Sequence, residues 1–255
     1  MKILHLETLF VGRVLHTFAE LGSTNTYALQ LIAKSKPPEG TVILAETQTA
    51  GRGQHGSYWA TMPNDNLTFS LILYPRFMPV GEQFDLSRAV ALALSDTLAE
   101  YLPAQNIAIK WANDIYINDK KVAGVLIENG IDSAGWSYSV VGIGLNINQL
   151  HFEGLPNAVS LRQAIHREID KYEVLSKLCE QLERRYLTLR TRSVGALRAH
   201  YIQNLYRYGE DACFERVATG ELLYGRIVGV SEQGQLQLLL PDGVHLFSIK
   251  EIRFL

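Results

Sequence analysis

The sequence has little cysteine and no long apolar run. Cys179 and Cys213 are far apart in unlike contexts, so we expect reduced thiols rather than a disulfide framework. The longest apolar stretches, such as 67–74 and 89–94, are far shorter than the roughly 20 residues that cross a bilayer. The acidic residue Glu7 lies too near the first residue to leave room for the apolar core of a signal peptide. We therefore expect a cytoplasmic protein with no membrane partner.

An excess of one charge and a metal-binding pattern are also missing. The chain has 24 basic and 26 acidic residues, for a formal net charge of −2. Proteins that coat nucleic acids usually carry a basic excess on one face, so we expect no nucleic-acid partner. The seven histidines form no His-Glu-x-x-His pattern, which argues against a protein-built zinc site.

Apolar periodicity predicts helices in the first two hundred residues. Three segments have helical apolar spacing: residues 24–34, 82–101 and 170–189. Ser23 is placed to cap the first helix. Asp170 and Glu173 make a capping-box-like start to the last one.

The remaining segments predict strands and a small second unit. Residues 41–45 are β-branched and apolar and predict a buried strand, and residues 107–148 predict a meander of four strands. Residues 148–161 have no period and predict a long surface loop. Turn residues divide the last 45 or so residues into short strands, and this spacing predicts an all-β unit. We therefore predict domains 1–208 and 209–255, in an α+β fold with an appended small barrel.

A glycine-rich loop follows the first predicted strand. Residues 46–56 read Glu-Thr-Gln-Thr-Ala-Gly-Arg-Gly-Gln-His-Gly, which contains Gly-x-Gly-x-x-Gly. A dinucleotide-binding fingerprint requires a helix to open at this loop, but Pro-Asn-Asp-Asn at 63–66 and another strand follow. We interpret the segment as an anion-binding loop in which Arg52 adds charge. A tight turn with incidental glycines is the alternative.

Two further segments carry polar residues or glycines at strand ends. Lys110-Trp111-Ala112-Asn113-Asp114 precedes a return strand that begins at Lys121, so two lysines and one carboxylate can converge there. Such a trio suits a site for phosphate and Mg²⁺, although a solvated turn has the same composition. Val-Gly-Ile-Gly-Leu-Asn-Ile-Asn at 141–148 is a strand in which glycine indicates close approach of a ligand or backbone.

Together with Ser23-Thr24-Asn25, these segments resemble the biotin–protein ligase family. The motifs Ser-Thr-Asn, Gln-x-Ala-Gly-Arg-Gly, Lys-Trp-x-Asn-Asp and Lys-x-Ala-Gly occur in the family's order and spacing, over about residues 20–150. Residues 210–255 are similar to the family's SH3-like C-terminal domain. The resemblance implies a mixed-sheet, class II synthetase-like catalytic domain followed by a small SH3-like β-barrel.

The resemblance also implies a reaction and its participants. The enzyme would be a ligase that uses ATP and Mg²⁺ to attach biotin to a lysine of a biotin carboxyl carrier protein, through biotinyl-5′-AMP. Such an enzyme is compatible with a monomer or a homodimer. The alternatives are a lipoate or octanoate ligase of related fold, which would need an apolar tunnel, and a non-catalytic biotin- or carrier-binding protein.

Residue by residue, the resemblance implies a set of site residues. The candidate catalytic residues are Lys121, Arg52, Asp114 and Lys110, with Asp114 supporting Mg²⁺. The candidate binding residues are Ser23, Thr24, Asn25, Gln48, Gly51, Arg52, Gly53, Gln54, Trp59, Lys121, Gly124 and Asn146. Among these, Ser23, Thr24 and Gln48 would bind the ureido ring of biotin. Lys121 would contact its carboxyl group and the α-phosphate, and residues 148–161 would order over the adenylate.

The sequence departs from the family in three respects, one of which is Ala112, where many members carry proline. Gln54, His55 and Ser57 stand where many members carry arginine, which leaves Arg52 as the only arginine of the loop. Our hypothesis is that His55, as an imidazolium, helps to neutralise the phosphate. The chain begins about twenty residues before Ser23, so we expect a monofunctional enzyme without the N-terminal DNA-binding domain of bifunctional members.

Overall fold

A computed structural model describes residues 6–53, 59, 62–103, 106–192 and 194–255. Within these residues, seven strands form one mixed sheet in the order β1-β2-β3-β7-β6-β5-β4. They are β1 (Leu15–Leu21), β2 (Val42–Gln48), β3 (Leu67–Leu73), β4 (Ile107–Lys110), β5 (Asp114–Ile117), β6 (Lys120–Asp132) and β7 (Gly135–Leu145). Strands β1 and β2 are parallel, and every other neighbouring pair is antiparallel. The predicted meander over residues 107–148 is therefore confirmed.

Helices cover both faces of this sheet. They are α1 (Thr24–Ser35), α2 (Gln83–Ala99), α3 (Leu161–Ile165), α4 (Lys171–Arg190) and α5 (Val194–Gln203). Side chains of a strand alternate between faces, so Leu71 joins the main core with α2 and α4, while its neighbour Ile72 packs in a small cluster with Ala28 of α1. On that second face β3 also carries the buried Thr68 and Ser70. The α1 face of the sheet is therefore partly polar.

The helix predictions are confirmed, with one correction at a cap. Ser23 caps α1 by accepting a hydrogen bond from the Thr26 amide, and Asp170 caps α4 by accepting one from the Tyr172 amide. Glu173 does not complete a capping box there, because its carboxylate pairs with Lys177 one turn on, at 3.1 Å. The reciprocal capping box lies at α3 instead, between Ser160 and Gln163. The sequence interpretation missed β1, α3 and α5.

The C-terminal unit is an antiparallel sheet, as predicted. In the described residues it has five strands in the order β11-β10-β9-β8-β12. They are β8 (Asp211–Arg216), β9 (Glu221–Val230), β10 (Leu236–Leu240), β11 (Gly243–Phe247) and β12 (Ile252–Phe254). Within the described residues β11 and β12 are the two edges, so the hydrogen bonding of this sheet is open rather than closed into a barrel.

A buried ion cluster joins this unit to the rest of the molecule. Asp85 and Arg88 of α2 are fully buried and lie 2.5 Å apart, and Arg198 of α5 approaches Asp85 to 2.8 Å. Arg88 donates to the carbonyl of Ser231, while Arg198 pairs with Glu232 of the C-terminal unit at 2.5 Å. Burial lowers the pKa of Arg88, an effect that the hydrogen bond to Asp85 opposes. We name these residues the junction cluster.

A membrane-spanning helix needs a long apolar segment, and none is found among the helices of the described ranges. In the same ranges, no three His, Cys, Asp or Glu side chains are grouped so that they could hold a metal ion. Cys179 is fully buried in α4, where desolvation raises the pKa of its thiol to about 12. Cys213 is half-buried, and it forms no disulfide with Cys179.

Candidate active site

The site begins where α1 starts beside the end of β2. Leu21 at the end of β1 pairs in register with Gln48 at the end of β2, so the turn into α1 meets the Gln48 side chain. The Thr24 amide donates to Gln48 Oε1 at 2.7 Å, and the Thr24 hydroxyl donates to the same oxygen at 3.0 Å. Both side chains are buried. With its oxygen held in this way, Gln48 offers its amide nitrogen as a donor to a ligand.

Asn25 extends this polar group across the sheet. Its Nδ2 donates to Glu128 Oε2 at 2.7 Å and to the carbonyl of Leu126 at 3.3 Å. The Ser70 hydroxyl lies 2.6 Å from Asn25 Oδ1 and 2.7 Å from Thr24 Oγ1. These bonds connect α1 to strands β3 and β6. Because buried polar atoms need partners, the network fixes the orientation of each side chain before any ligand arrives.

Glycines of β6 and β7 make room for Trp59 and Asn25 on the same face. A Cβ atom at Gly144 would stand 2.2 Å from the Trp59 indole, and one at Gly142 would stand 2.3 Å from Asn25 Oδ1. A Cβ at Gly124 would meet both the Trp59 ring, at 3.1 Å, and Lys121. The indole therefore lies directly against the backbone of β7. The approach of the indole is the physical reason for Gly144, and the approach of the Asn25 side chain is the reason for Gly142.

Lys121 and Asp114 form the charged part of the site. Lys121 Nζ lies 2.8 Å from Asp114 Oδ1 and 5.6 Å from the Trp59 ring. Both side chains are about one-third exposed, at 33% and 37%. Arg52 Nη2 pairs with Glu128 Oε2 at 2.8 Å, next to the Asn25 amide. The predicted convergence of a lysine and a carboxylate at a strand end is therefore present for Lys121 and Asp114.

These groups surround one cavity of about 250 Å³. Its lining residues are Ser23, Thr24, Asn25, Gln48, Arg52, Gly53, Trp59, Thr68, Phe69, Asp114, Lys121, Gly124, Val125, Leu126, Gly142, Ile143, Gly144 and Lys250. A second cavity of about 260 Å³ shares Trp59 and Lys121 with the first. Its other lining residues are Tyr116, Asn146, Phe152, Gly154, Leu155, Pro156, Asn157 and Ala158. The two cavities meet at an aromatic ring and an ammonium group.

Comparison with known proteins assigns the chain to a family. The matching family is described as the biotin/lipoate A/B protein ligase family, and its sequence model covers residues 18–146. The chain belongs to this ligase family. It is 32% identical over 248 residues to the biotin–[acetyl-CoA-carboxylase] ligase of Paracoccus denitrificans, covering 92% of this chain and 98% of that protein.

Two further relatives are similar over most of the chain. The bifunctional ligase/repressor BirA of Bacillus subtilis is 30% identical over 244 residues, which are 94% of this ligase and 73% of the relative. The biotin protein ligase from Aquifex aeolicus, solved in complex with biotin and ATP, superposes with a TM-score of 0.78 at 26% identity. That superposition covers 95% of this chain and 100% of the solved one.

Most of the predicted site residues of this ligase line the first cavity; of the other four, three are described and lie elsewhere. Gly51 lies behind Trp59, whose amide donates to the Gly51 carbonyl at 3.1 Å. Asn146 lines the second cavity. Gln54 lies outside the described residues, as do His55 and Ser57. The remaining one, Lys110, does not line either cavity.

Lys110 lies against the C-terminal unit. Its Nζ donates to the Tyr116 hydroxyl at 3.1 Å and stands 5.1 Å from the centre of the Phe254 ring. Burial lowers the pKa of Lys110 and raises the pKa of Tyr116. The hairpin pairs Lys110 with Asp114 in register, yet the ammonium group of Lys110 is bound to Tyr116. Only one of the two predicted lysines therefore lines the cavity.

The loop over residues 148–161 is tied to the site by its backbone. The Lys121 amide donates to the Asn157 carbonyl at 2.7 Å, and the Val159 amide donates to the Lys121 carbonyl at 2.9 Å. Asn146 Nδ2 donates to the Val159 carbonyl at 3.1 Å. The segment has no helix or strand before α3, in agreement with the prediction. Its ordering over a ligand stays a prediction.

Four residues of the site were missed by the sequence interpretation. Ser70 and Thr68 are polar positions two apart in an otherwise apolar strand, a pattern that could have indicated a polar sheet face. Glu128 gave no such signal, because its partners Asn25 and Arg52 are far away in the sequence. Lys250 gave none either, since it comes from the C-terminal unit.

Proposed function

We propose that this ligase uses ATP to attach biotin to a specific lysine of a biotin carboxyl carrier protein, through biotinyl-5′-AMP. The observation that carries the proposal is the composition of the first cavity. Neutral hydrogen-bonding groups held by Thr24 and Gln48 occupy one part of it, and the ammonium group of Lys121 occupies another. A ligand with a polar neutral ring and a carboxylate fits this arrangement. Biotin has a ureido ring and a valeryl carboxylate.

In this proposal the ureido ring binds to Ser23, Thr24 and Gln48. The network orients these groups before binding, so less conformational entropy is lost when the ring binds. The carboxylate points to Lys121, whose charge stabilises it and the phosphate that it attacks. The ring of Trp59 separates the acyl group from the nucleotide, which lies in the second cavity near Asn146. Arg52 and Gly53 close the first cavity from the glycine-rich loop.

The reaction proceeds in two steps. A carboxylate oxygen of biotin attacks the α-phosphorus of ATP, the bond to the β-phosphate oxygen breaks, and pyrophosphate leaves. The amine of the carrier lysine then attacks the acyl carbon, an amide forms, and AMP leaves while the nitrogen loses a proton. The chain needs no nucleophile of its own, because positioning and charge stabilisation supply the catalysis. The loop over residues 148–161 would order over the adenylate and exclude water.

The described residues fit Mg²⁺ that is bound mainly through the nucleotide. Mg²⁺ is commonly held by one or two carboxylates together with substrate phosphates. Asp114 is the carboxylate that lines the first cavity in the described residues, and it already lies against Lys121. In the proposal Asp114 would hold Mg²⁺, which would supply positive charge to neutralise the phosphates. Lys110 acts indirectly, by holding Tyr116 at the wall of the second cavity.

Pyrophosphate release tests the proposal. The enzyme is mixed with MgATP and biotin, and with MgATP and lipoate in parallel. Release with biotin alone supports the proposal, whereas release with lipoate alone identifies a lipoate ligase. Biotin binding without release identifies a non-catalytic binding protein. Transfer is then followed on a biotin carboxyl carrier domain, with a variant that carries arginine at the acceptor lysine as the control.

A further inference from the structure

Thr68 carries a buried hydroxyl that has no hydrogen-bond partner among the described residues. The residue lies in β3, is 4% exposed and lines the first cavity. In the described ranges six buried side-chain nitrogen or oxygen atoms lack a partner, and only Thr68 Oγ1 and Trp59 Nε1 belong to residues that line this cavity. A buried hydroxyl without a hydrogen bond is destabilising, so its position in a ligand cavity requires an explanation.

The Thr68 side chain lies on the face of the sheet that forms the cavity. Side chains two apart in a strand share a face, so Thr68 lies on the same face as Ser70, whose hydroxyl belongs to the polar network of the cavity. Across the sheet Thr68 pairs with Gly144, and Gly144 pairs with Gly124. Because the two glycines present no side chain, Thr68 is the only side chain in this row of three residues.

The neighbouring polar side chains, in contrast, already have their oxygens occupied. Gln48 Oε1 accepts two hydrogen bonds from Thr24, and Asn25 Oδ1 lies 2.6 Å from the Ser70 hydroxyl. Thr24 Oγ1 lies 2.7 Å from the same hydroxyl. Of these five side chains, Thr68 is the one whose oxygen forms no hydrogen bond with the described residues. Its proton and its lone pairs are therefore all available to a ligand.

Thr68 lies between the neutral and the charged parts of the cavity. Along β3 it is two residues from Ser70 of the polar network, and across the sheet it is two strands from Gly124. A Cβ atom at Gly124 would stand 3.2 Å from Lys121 Nζ, so the ammonium group lies beside that end of the row. In the proposed binding mode the ureido group and the carboxylate of biotin occupy these two parts. The ligand atoms next to Thr68 then belong to the fused ring, whose polar atoms are the ureido group and the ring sulfur.

We propose that Thr68 is a specificity-determining residue of this ligase, whose hydroxyl forms a hydrogen bond with a polar atom of the fused ring of the acyl substrate. The inference deepens the proposed function and rests on it. The hydroxyl accepts from a ureido N–H or donates to the ring sulfur. An octanoyl chain has no polar atom at this depth and leaves the hydroxyl unpaired. A site that is built to bind a polar group rejects analogues that lack the group, which favours biotin over an octanoyl chain.

Calorimetric titration of the wild type and Thr68→Val tests the inference and identifies the partner atom. Valine has the shape of threonine but no hydroxyl. The ligands are biotin, its analogue with a methylene group in place of the ring sulfur, and biotins methylated at one or the other ureido nitrogen. For biotin we expect Thr68→Val to bind about three- to tenfold more weakly, as for loss of one hydrogen bond. This difference should disappear with the ligand that lacks the partner atom and persist with the others.

Further variants separate ligand binding from a structural role. Thr68→Ser keeps the hydroxyl and should retain the biotin affinity. Because Thr68 Oγ1 has no partner to lose among the described residues, Thr68→Val should not lower the Tm. Ser70→Ala is the matched contrast, since it removes a hydroxyl of the same strand face that is bound to Thr24 and Asn25, and it should lower the Tm. Thr68→Val should also reduce the preference for biotin over octanoate in pyrophosphate release.

Three results would overturn the inference. Equal biotin affinities of the wild type and Thr68→Val would show that the hydroxyl forms no hydrogen bond with the ligand. A loss of the same size with every analogue would show that residue 68 only shapes the cavity, and a lower Tm of Thr68→Val would show that its hydroxyl has a partner within the protein. If the wild type itself does not bind biotin, the proposed function fails and the inference fails with it, which distinguishes that case from the other three.

Discussion

The neutral and charged parts of the first cavity differ in burial. Ser23, Thr24, Asn25 and Gln48 are 3–8% exposed and bound to one another or to the sheet. Arg52, Lys121 and Asp114 keep a third or more of their side-chain area exposed. Neutral groups can be buried once their hydrogen bonds are made, whereas burying a charge is costly unless it is well paired. The neutral part is thus built by the fold, and the charged part gains strength when the ligand excludes water.

This difference predicts the largest effect for Lys121→Met. Lys121 contributes charge to the transition state and little packing, so adenylation should fall about 10²–10³-fold, or about 3–4 kcal/mol, while the Tm stays unchanged. Single-turnover formation of the adenylate and a thermal melt measure both quantities. Lys120→Met, at the exposed neighbour on β6, is the control. A Lys121→Met enzyme with near-normal turnover would contradict the assignment.

Gly144→Ala should have the next largest effect. The new methyl group would stand 2.2 Å from the Trp59 indole, so the ring must move away from the place where the two cavities meet. Overpacking of this kind costs about 1–3 kcal/mol, which we expect as a roughly 10- to 100-fold weaker binding of biotinol-5′-AMP. Gly195→Ala in α5 adds the same methyl group with no atom within 4 Å and should bind normally. Unchanged binding by Gly144→Ala would exclude Trp59 from the ligand site.

Thr24→Val should affect both stability and binding, in contrast to Lys121→Met. It removes a buried hydroxyl that lies between Gln48 and Ser70, which costs about 1–3 kcal/mol for the groups left without a partner. We expect a lower Tm together with about tenfold weaker biotin binding. The control is Thr26→Val, at an exposed position two residues further along α1, which should change neither the Tm nor the biotin affinity. A lower Tm with normal biotin affinity would reduce the network to a structural role.

The smallest effect should come from His55, a prediction that rests on the sequence alone. If His55 acts as an imidazolium, it is charged below its ordinary pKa near 6.5 and loses the charge as the pH rises through that value. Adenylation by the wild type should therefore fall a few-fold between pH 6 and about 8, while His55→Arg holds its rate. Superimposable pH–rate profiles of wild type, His55→Arg and His55→Ala would dispose of the hypothesis.

Apolar periodicity in the sequence was sufficient to predict the helices and strands that have a strong apolar pattern of their own. The helices that contain Tyr27, Leu94 and Leu182 and the meander with its turns follow from apolar spacing and turn residues. The short helix α3 and the weakly patterned β1 and α5 were missed. In β1 no residue is buried, and α5 buries only Leu197 and Tyr201, so neither shows a strong apolar stripe. Such elements are specified by their neighbours and not by their own sequence.

The site residues likewise divide into those that local sequence motifs predict and those that only tertiary packing brings to the cavity. Thr24, Gln48 and Lys121 lie in motifs that the sequence displays together, and the structure brings them to one cavity. Lys110 instead binds the Tyr116 hydroxyl and lies against the ring of Phe254, and the local sequence does not display these two contacts. Glu128 and Lys250 reach the site through tertiary packing, and a single sequence holds no signal for that.

The junction cluster has a consequence for the predicted boundary at residue 208. Asp85 is completely buried, and its charge is balanced by Arg88 and Arg198, which also bind Ser231 and Glu232 across the boundary. Truncating the chain there would leave Arg88 without its carbonyl partner and expose the apolar ring of Phe84. Topology divides the molecule into two sheets, but because of these contacts we expect them to unfold as one cooperative unit. Exchange of the C-terminal unit between relatives therefore requires the matching α2 and α5 surfaces to be exchanged with it.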